Sequence, residues 1–375
     1  MRFSDIIGFE ETKSRLVQSV KKDHLAHALL FSGKPGNPGL ALALAFSSYL
    51  NCEESEGKDD ACGHCASCLK NAKFIHPDLN FVFPVSSTKT ITGKDVISKN
   101  YLKDWRKFLA ENPYGHASEW AGYFGGENKS LNISKEESRN IISALSLSAF
   151  EGRYKIMLIW LPEYLHPFAA NGLLKILEEP TVRTIFLLVS NDKERLLGTI
   201  LSRTQHINIR QFNDEELAKL IVEKTGLDND KAASLARLAD GDLSHALRLQ
   251  DNLDADNNVL FRDWMRACYT WDMATLVQRA DDFHKMSKVG QRGLLTFAQG
   301  VLRESLISVA GVSELQRSGA GDIEFIRKFS SVLDTAKIDR MTSLVDEAWY
   351  HLDRNASPKI TFLDLSLQLA SIVKK

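Results

Sequence analysis

The sequence lacks an excess of charge of either sign and any long apolar run, and it has a single cysteine outside one cluster. Forty-seven Lys and Arg stand against 48 Asp and Glu, a formal net charge of -1 over 375 residues. That balance argues against a protein that mainly coats nucleic acid, and any DNA contact is expected to be shared with partners. No apolar run approaches the ~18 residues needed to span a bilayer, and Met1-Arg2-Phe3-Ser4-Asp5 is no basic-then-apolar leader. A cytoplasmic protein is expected. At about 150 residues per domain, the length suggests two or three domains, each with its own core.

Four of the five cysteines, Cys52, Cys62, Cys65 and Cys68, form C-x9-C-x2-C-x2-C. The crowded CxxCxxC end suits thiolates converging on one Zn²⁺, and four thiolates leave no open position for chemistry. The expected role is structural, stapling the polar excursion Glu53 to Ala61. Free thiols or disulfides are the other reading, disfavoured because a reducing compartment gives such clustering no other use. His76 is a further possible ligand, though four thiols already fill the metal. Cys268 stands alone in a helical stretch and reads as a small buried hydrophobe.

The segment Phe31 to Ala41, F-S-G-K-P-G-N-P-G-L-A, follows the apolar run Ala28 to Leu30 and opens into an apolar segment through Leu50. A phosphate loop needs G-x-x-x-x-G-K-[ST], because backbone N–H groups cradle phosphate, Lys neutralises charge and the hydroxyl holds Mg²⁺. Here Gly33 to Gly39 is one residue too long, and Leu40 and Ala41 replace the two chemical residues. An ordinary strand-to-helix turn is the alternative. A buried strand is expected at Lys155 to Leu161, where an ATPase of this kind ends in an acid pair that orders Mg²⁺. Trp160 and Leu161 stand there and can hold no metal, while Glu163 reads as a solvated loop residue. Gly33 and Gly39 are thus the remnant of a phosphate site, and binding of ATP or ADP is doubtful.

Other elements are legible along the chain. Asp5 to Val20 has helical spacing, with Ile6, Ile7, Leu16 and Val20 as its apolar positions, and Leu79 to Val85 is a short strand interrupted by Pro84. Ser86 to Asn132 is a polar and aromatic insertion, read as partly helical and packed on the domain; its aromatics could alternatively stack bases. Ser134-Lys135-Glu136-Glu137 is a capping box opening a helix with Ile141, Ile142 and Leu145 on one side. Thr184 to Val189 is a strand. Asp214 to Glu223, Asp230 to Leu238 and Leu243 to Gln250 read as three short helices. From about Asp256 the pattern stays helical, as in Leu294, Ala298, Val301 and Leu302, or Met341, Leu344, Val345, Ala348 and Leu352.

Asn171-Gly172-Leu173-Leu174-Lys175-Ile176-Leu177-Glu178-Glu179-Pro180 and Ser202-Arg203-Thr204 resemble the N-x-L-L-K-x-L-E-E-P and S-R-C boxes of bacterial clamp loader subunits. With Ile6-Ile7-Gly8 and the four-cysteine insert, the resemblance covers the first 210 residues. It implies an α/β AAA+ fold: a RecA-like parallel sheet in 1–210 carrying the zinc module (52–68) and the insertion (86–132), a three-helix lid in 211–254, and an all-α collar for oligomerisation in 255–375. Arg354-Asn355-Ala356-Ser357-Pro358 with Leu363 to Leu369 resembles the end of such a collar. The implied partners are gamma/tau and delta subunits in a hetero-pentameric ring, the sliding clamp and primed DNA. The implied role for Arg203 is an arginine finger reaching a neighbour's ATP site, where Thr204 departs from the box's cysteine; a salt-bridged surface arginine is the alternative. In active relatives a G-S-x-R box in the lid places an arginine on the nucleotide, but Gly241-Asp242-Leu243-Ser244 has Ser244 there, and Arg248 reads as a solvated helix residue.

Three classes of function compete. A non-hydrolysing clamp loader subunit, not an enzyme on its own, accommodates all of these features. An active motor of the same family, like gamma or tau, fails at Leu40, Ala41, Leu161 and Ser244. A zinc-dependent nucleic-acid module is disfavoured by the near-neutral charge, and salt dependence of DNA binding would discriminate it.

Overall fold

A computed structural model describes residues 1–127, 129–145, 148–250, 253–312, 320–354 and 356–373. Asn128 of the insertion, residues 146 and 147, 251 and 252, 313–319, Asn355 and residues 374 and 375 therefore lie outside the described residues. The chain divides into two compact units, Met1–Leu227 with Asp240–Ser244, and Asp228–Ala239 with His245–Lys375. The division falls inside the stretch read as the lid.

In the first unit the elements run α1 (Glu10–Lys21), β1 (Ala28–Ser32), α2 (Gly39–Leu50), α3 (Ala66–Ala72), β2 (Leu79–Val82), α4 (Leu102–Glu111), α5 (Ala117–Tyr123), α6 (Lys135–Leu145), β3 (Lys155–Trp160), α7 (Pro167–Glu178), β4 (Thr184–Ser190), α8 (Gly198–Leu201), β5 (Gln205–Asn208) and α9 (Asp214–Thr225). Among the described residues five parallel strands form one sheet in the order β2-β3-β4-β1-β5. Every residue of β1, β3 and β4 is buried, as a parallel sheet covered by helices on both faces requires. The register sets Ser32 beside Ser190 and Trp160 beside Val189, so the carboxyl ends of the central strands meet at one edge, where open α/β sheets carry their sites.

The helices follow from local chemistry. Residues 39–50 are apolar all round, and α2 is buried along its whole length. The first helix starts at Glu10 rather than Asp5, because Gly8 and Phe9 take left-handed conformations and Gly8 passes against the Glu216 carboxylate. Below the sheet α6 and α7 bury Ile141, Leu145, Leu173 and Leu177 against Met157, Ile159, Phe186 and Leu188. Ile142 departs from the expected face and is exposed.

The capping box at Ser134 also forms differently. The helix does begin at Lys135, but Ser134 Oγ donates to Val96 O (3.3 Å) and Glu137 accepts from Ser98 N–H (2.7 Å). Both side chains are drawn to the insertion. Residues 86–132 are partly helical and packed on the domain, as expected. Phe83, Trp105, Phe108 and Trp120 form a buried aromatic cluster against Trp160 at the end of β3, with Trp105 and Trp160 centroids 5.1 Å apart. Trp160, which stands where an acid would bind metal, is thus an anchor for the insertion.

The second unit is helical: α10 (Asn229–Ala239), most of α11 (Leu243–Gln250), α12 (Leu253–Thr270), α13 (Met273–Lys285), α14 (Lys288–Val309), α15 (Ala320–Ser330), α16 (Thr335–Asp353) and α17 (Pro358–Val373). Leu294, Ala298, Val301, Leu302, Met341, Val345 and Ala348 enter one core with Phe261, Trp264 and Phe362, while Leu344 and Leu352 pack at its margin. Cys268 is fully buried in that core, and burial pushes its thiol up to about 12. Among the described residues no helix is long and apolar enough to cross a membrane.

Candidate functional site

The loop after β1 is filled by the chain itself. Gly33 N–H donates to Ser190 O (3.2 Å) and fixes the start of the turn. Asn37 then folds inward and is buried: its Oδ1 accepts from Gly39 N–H (2.6 Å) while its Nδ2 donates to Lys34 O. A phosphate site needs the first N–H groups of the helix pointing at an anion. Here a side-chain amide has taken the one at Gly39. The glycines are demanded by the crowding this creates, since a Cβ at Gly33 would lie 2.2 Å from Ile209 O and one at Gly39 would lie 2.6 Å from Asn37 Oδ1. Leu40 and Ala41 are buried in the core.

The end of β3 is equally closed. Leu161 is buried in a left-handed conformation, its N–H donating to Val189 O (2.7 Å). Glu163 is not the solvated residue expected from the sequence. The turn Pro162–Tyr164 folds it over the loop after β4, where Oε1 accepts from Asn191 N–H (2.9 Å) and Oε2, shut off from solvent, has no hydrogen-bond partner among the described residues. Burial raises its pKa, against the bond from Asn191. The sign follows: a raised carboxyl contributes stability below the unfolded value of about 4.3, lost as pH rises through the folded value. Glu163→Gln keeps the acceptor for Asn191 N–H and removes the buried charge, so it should stabilise the fold at pH 7.5, with the gain fading toward pH 4.5. Urea midpoints at the two pH values test this, and a loss at pH 7.5 would contradict it.

The box Gly241-Asp242-Leu243-Ser244 lies over the same loop. A Cβ at Gly36 would meet the Asp242 carboxyl carbon at 2.6 Å. Asp242 is paired with His116 of the insertion (Nε2 to Oδ2 3.0 Å), and Ser244 Oγ donates to Glu119 Oε2 (2.9 Å). Arg248 is half-buried rather than solvated.

Arg203 lies apart from this loop, one residue beyond Ser202 at the end of α8. Its Nη1 donates to Thr199 O (3.0 Å) and Ser202 Oγ (3.3 Å), and its Nη2 to Glu178 Oε1 at the end of α7. The side chain is 34% exposed, so the guanidinium is oriented yet reachable.

The four cysteines converge. The Cys52, Cys62, Cys65 and Cys68 sulfurs all lie within 4.8 Å of one another, with Cys62 and Cys68 3.9 Å apart. A Zn²⁺ tetrahedron with ~2.3 Å arms has edges of about 3.8 Å. Backbone N–H groups of Cys62, Cys65 and Cys68 donate to the Cys52, Cys62 and Cys65 sulfurs at 3.2, 3.3 and 3.4 Å, a pattern that stabilises thiolate. At Cys62 burial is outweighed by hydrogen bonds from His64 and Cys65, leaving its thiol at about 6, whereas burial drives Cys52 and Cys68 upward. The donor set fits a structural zinc ion. Asp60 ties the module down, accepting from the N–H groups of Phe3 (2.9 Å), Ser4 (2.9 Å) and Ala61 (2.7 Å). His76 stands outside this group, with Nδ1 accepting from Asp78 N–H (3.1 Å) and Nε2 3.6 Å from Glu151.

Asn37, His116, Asp242 and Glu178 shape these sites and were not singled out from the sequence for these contacts. Each acts on a partner distant in the chain or through a turn that no periodicity marks.

The sheet order, the glycine loop at its strand ends and the helical second unit define an α/β AAA+ protein. Residues 8–213 match the family described as DNA polymerase III, delta subunit, and the chain belongs to that clamp loader family. It is 26% identical to the DNA polymerase III subunit delta' of Bacillus subtilis over 223 residues, 60% of this chain and 52% of the relative. It is also 26% identical to the delta' subunit of Escherichia coli over 235 residues, 63% of this chain and 58% of the relative. Identity to the tau/gamma subunit of Haemophilus influenzae is 25% over 256 residues, 66% of this chain and 30% of the relative. The chain thus spans between 30% and 58% of the length of these relatives.

Proposed function

We propose that this chain is a delta-prime-type subunit of the clamp loader: a cytoplasmic, non-hydrolysing member of a ring with gamma/tau and delta subunits that helps place the sliding clamp on primed DNA. Its second role is to present Arg203 to a neighbour's ATP, and Zn²⁺ on the four cysteines holds its fold. The carrying observation is the closed loop, where Asn37 takes the Gly39 N–H and Leu40 and Ala41 sit in the core. Without the lysine that Leu40 replaces and without the acid pair, the charge that develops on the transferred phosphoryl group loses its main stabilising partners. Relatives named tau/gamma match this chain about as well as those named delta', so the support for the delta-prime reading comes from these positions.

The expected result is no ATP hydrolysis above background by the purified chain. Turnover that vanished on mutating Gly39 would sink the proposal in favour of a gamma/tau-like motor. Leu40→Lys with Ala41→Thr should not rescue activity, since Trp160 still ends β3 and Leu161 still follows it.

A further inference from the structure

The insertion grips the box Gly241–Ser244, and that box lies against the phosphate loop. Asp242 presses on Gly36 and is held by His116 (3.0 Å), while Glu119 Oε2 accepts both from Ser244 Oγ (2.9 Å) and from His116 N–H (2.8 Å). Asp242 and His116 are mostly covered, with side chains 14% and 18% exposed, where such pairs hold more strongly than in open water. Further contacts pull in the same direction. Tyr114 packs edge-on against Phe212 (5.3 Å), Lys224 Nζ donates to Glu111 O at the end of α4 (2.7 Å), and Gln211 Nε2 donates to Pro35 O of the loop (3.2 Å). Gly241 is forced to be glycine, with φ +82° and Phe212 O 2.5 Å from where a Cβ would stand.

We propose that the insertion at 86–132 is a built-in latch that holds residues 240–244 on the loop 33–39 without a ligand. The aromatic cluster around Trp160 roots the latch, and His116 with Glu119 form its tip. The proposal rests on the reading that the loop is closed to nucleotide. The insertion thereby has a purpose, since a subunit with no nucleotide still needs a fixed shape for its neighbours to work against.

Amide hydrogen exchange on the full chain tests this, with and without ATP, in wild type and in His116→Ala/Glu119→Ala. The wild type should protect 33–39 and 240–244 equally with and without ATP. The double variant should exchange about ten-fold or more faster in those two segments alone, with β3 and β4 unchanged. Asp242→Asn/Ser244→Ala, which cuts the same contacts from the other side, should do likewise. Unchanged exchange in both variants would overturn the latch, and so would acceleration spread evenly over β3 and β4, which would mean a weakened fold. Extra protection of 33–39 by ATP in the wild type would instead overturn the closed-loop reading.

Discussion

Stripping the metal from the chain, or replacing Cys65 by Ser, should lower the melting temperature by about ten degrees or more. Structural four-ligand zinc sites bind with apparent free energies of ~10–16 kcal/mol in small peptides, comparable to the whole stability of a domain. Only part of that is at stake in a domain with its own core, but in a domain of this size each kcal/mol moves the midpoint by about 2–4 °C. The loss should be local at first. Without metal, the thiols no longer hold the excursion 53–61, and Asp60 loses the frame that carries Phe3 and Ser4 against it. Freshly purified, reduced protein should contain one Zn²⁺ per chain, and any loss of clamp loading by the variant should track the loss of folded protein. Absence of zinc by metal analysis would refute this.

The second large effect is expected across an interface. In a reconstituted loader, Arg203→Ala should leave assembly intact and depress the DNA- and clamp-stimulated ATPase at the one adjoining site. An arginine finger is worth about 10³ to 10⁵ in rate for a GTPase, so that site should fall nearly silent while the others keep turning over. The total loss is therefore partial. Within this chain Arg203 already has a partner in Glu178, and a half-exposed pair of that kind contributes at most about 1 kcal/mol. A neighbour's phosphate, with more charge and a fork to receive, can compete for the guanidinium. If Arg203 only held Glu178, the variant would assemble and turn over ATP at the wild-type rate, and that result would rule out the finger.

Much of the fold was legible in the sequence for simple reasons. The buried strands β1, β3 and β4 are nearly unbroken apolar runs, which parallel sheets covered on both faces demand. Cysteine spacing placed the thiol cluster, and the L-E-E-P and S-R-T segments placed Glu178 and Arg203, now seen to touch. What escaped was decided by partners far along the chain. The edge strand β5 is polar and mostly exposed, so it carries no apolar signal. Ser134 and Glu137 bond to Val96 and Ser98 instead of closing a box with each other. Glu163 looked like a loop residue because nothing local shows that Asn191 folds over it. The pairing of His116 with Asp242 spans 126 positions, beyond any periodicity.

Closure of the phosphate loop by the chain's own side chains is tested most directly by calorimetry, titrating ATP with Mg²⁺ into the purified, zinc-loaded chain. No saturable heat is expected even at millimolar nucleotide, because Asn37 holds the Gly39 N–H and the Asp242 side chain crowds Gly36. Saturable binding of one ATP per chain, weakened by substitution at Gly33 or Gly39, would contradict it.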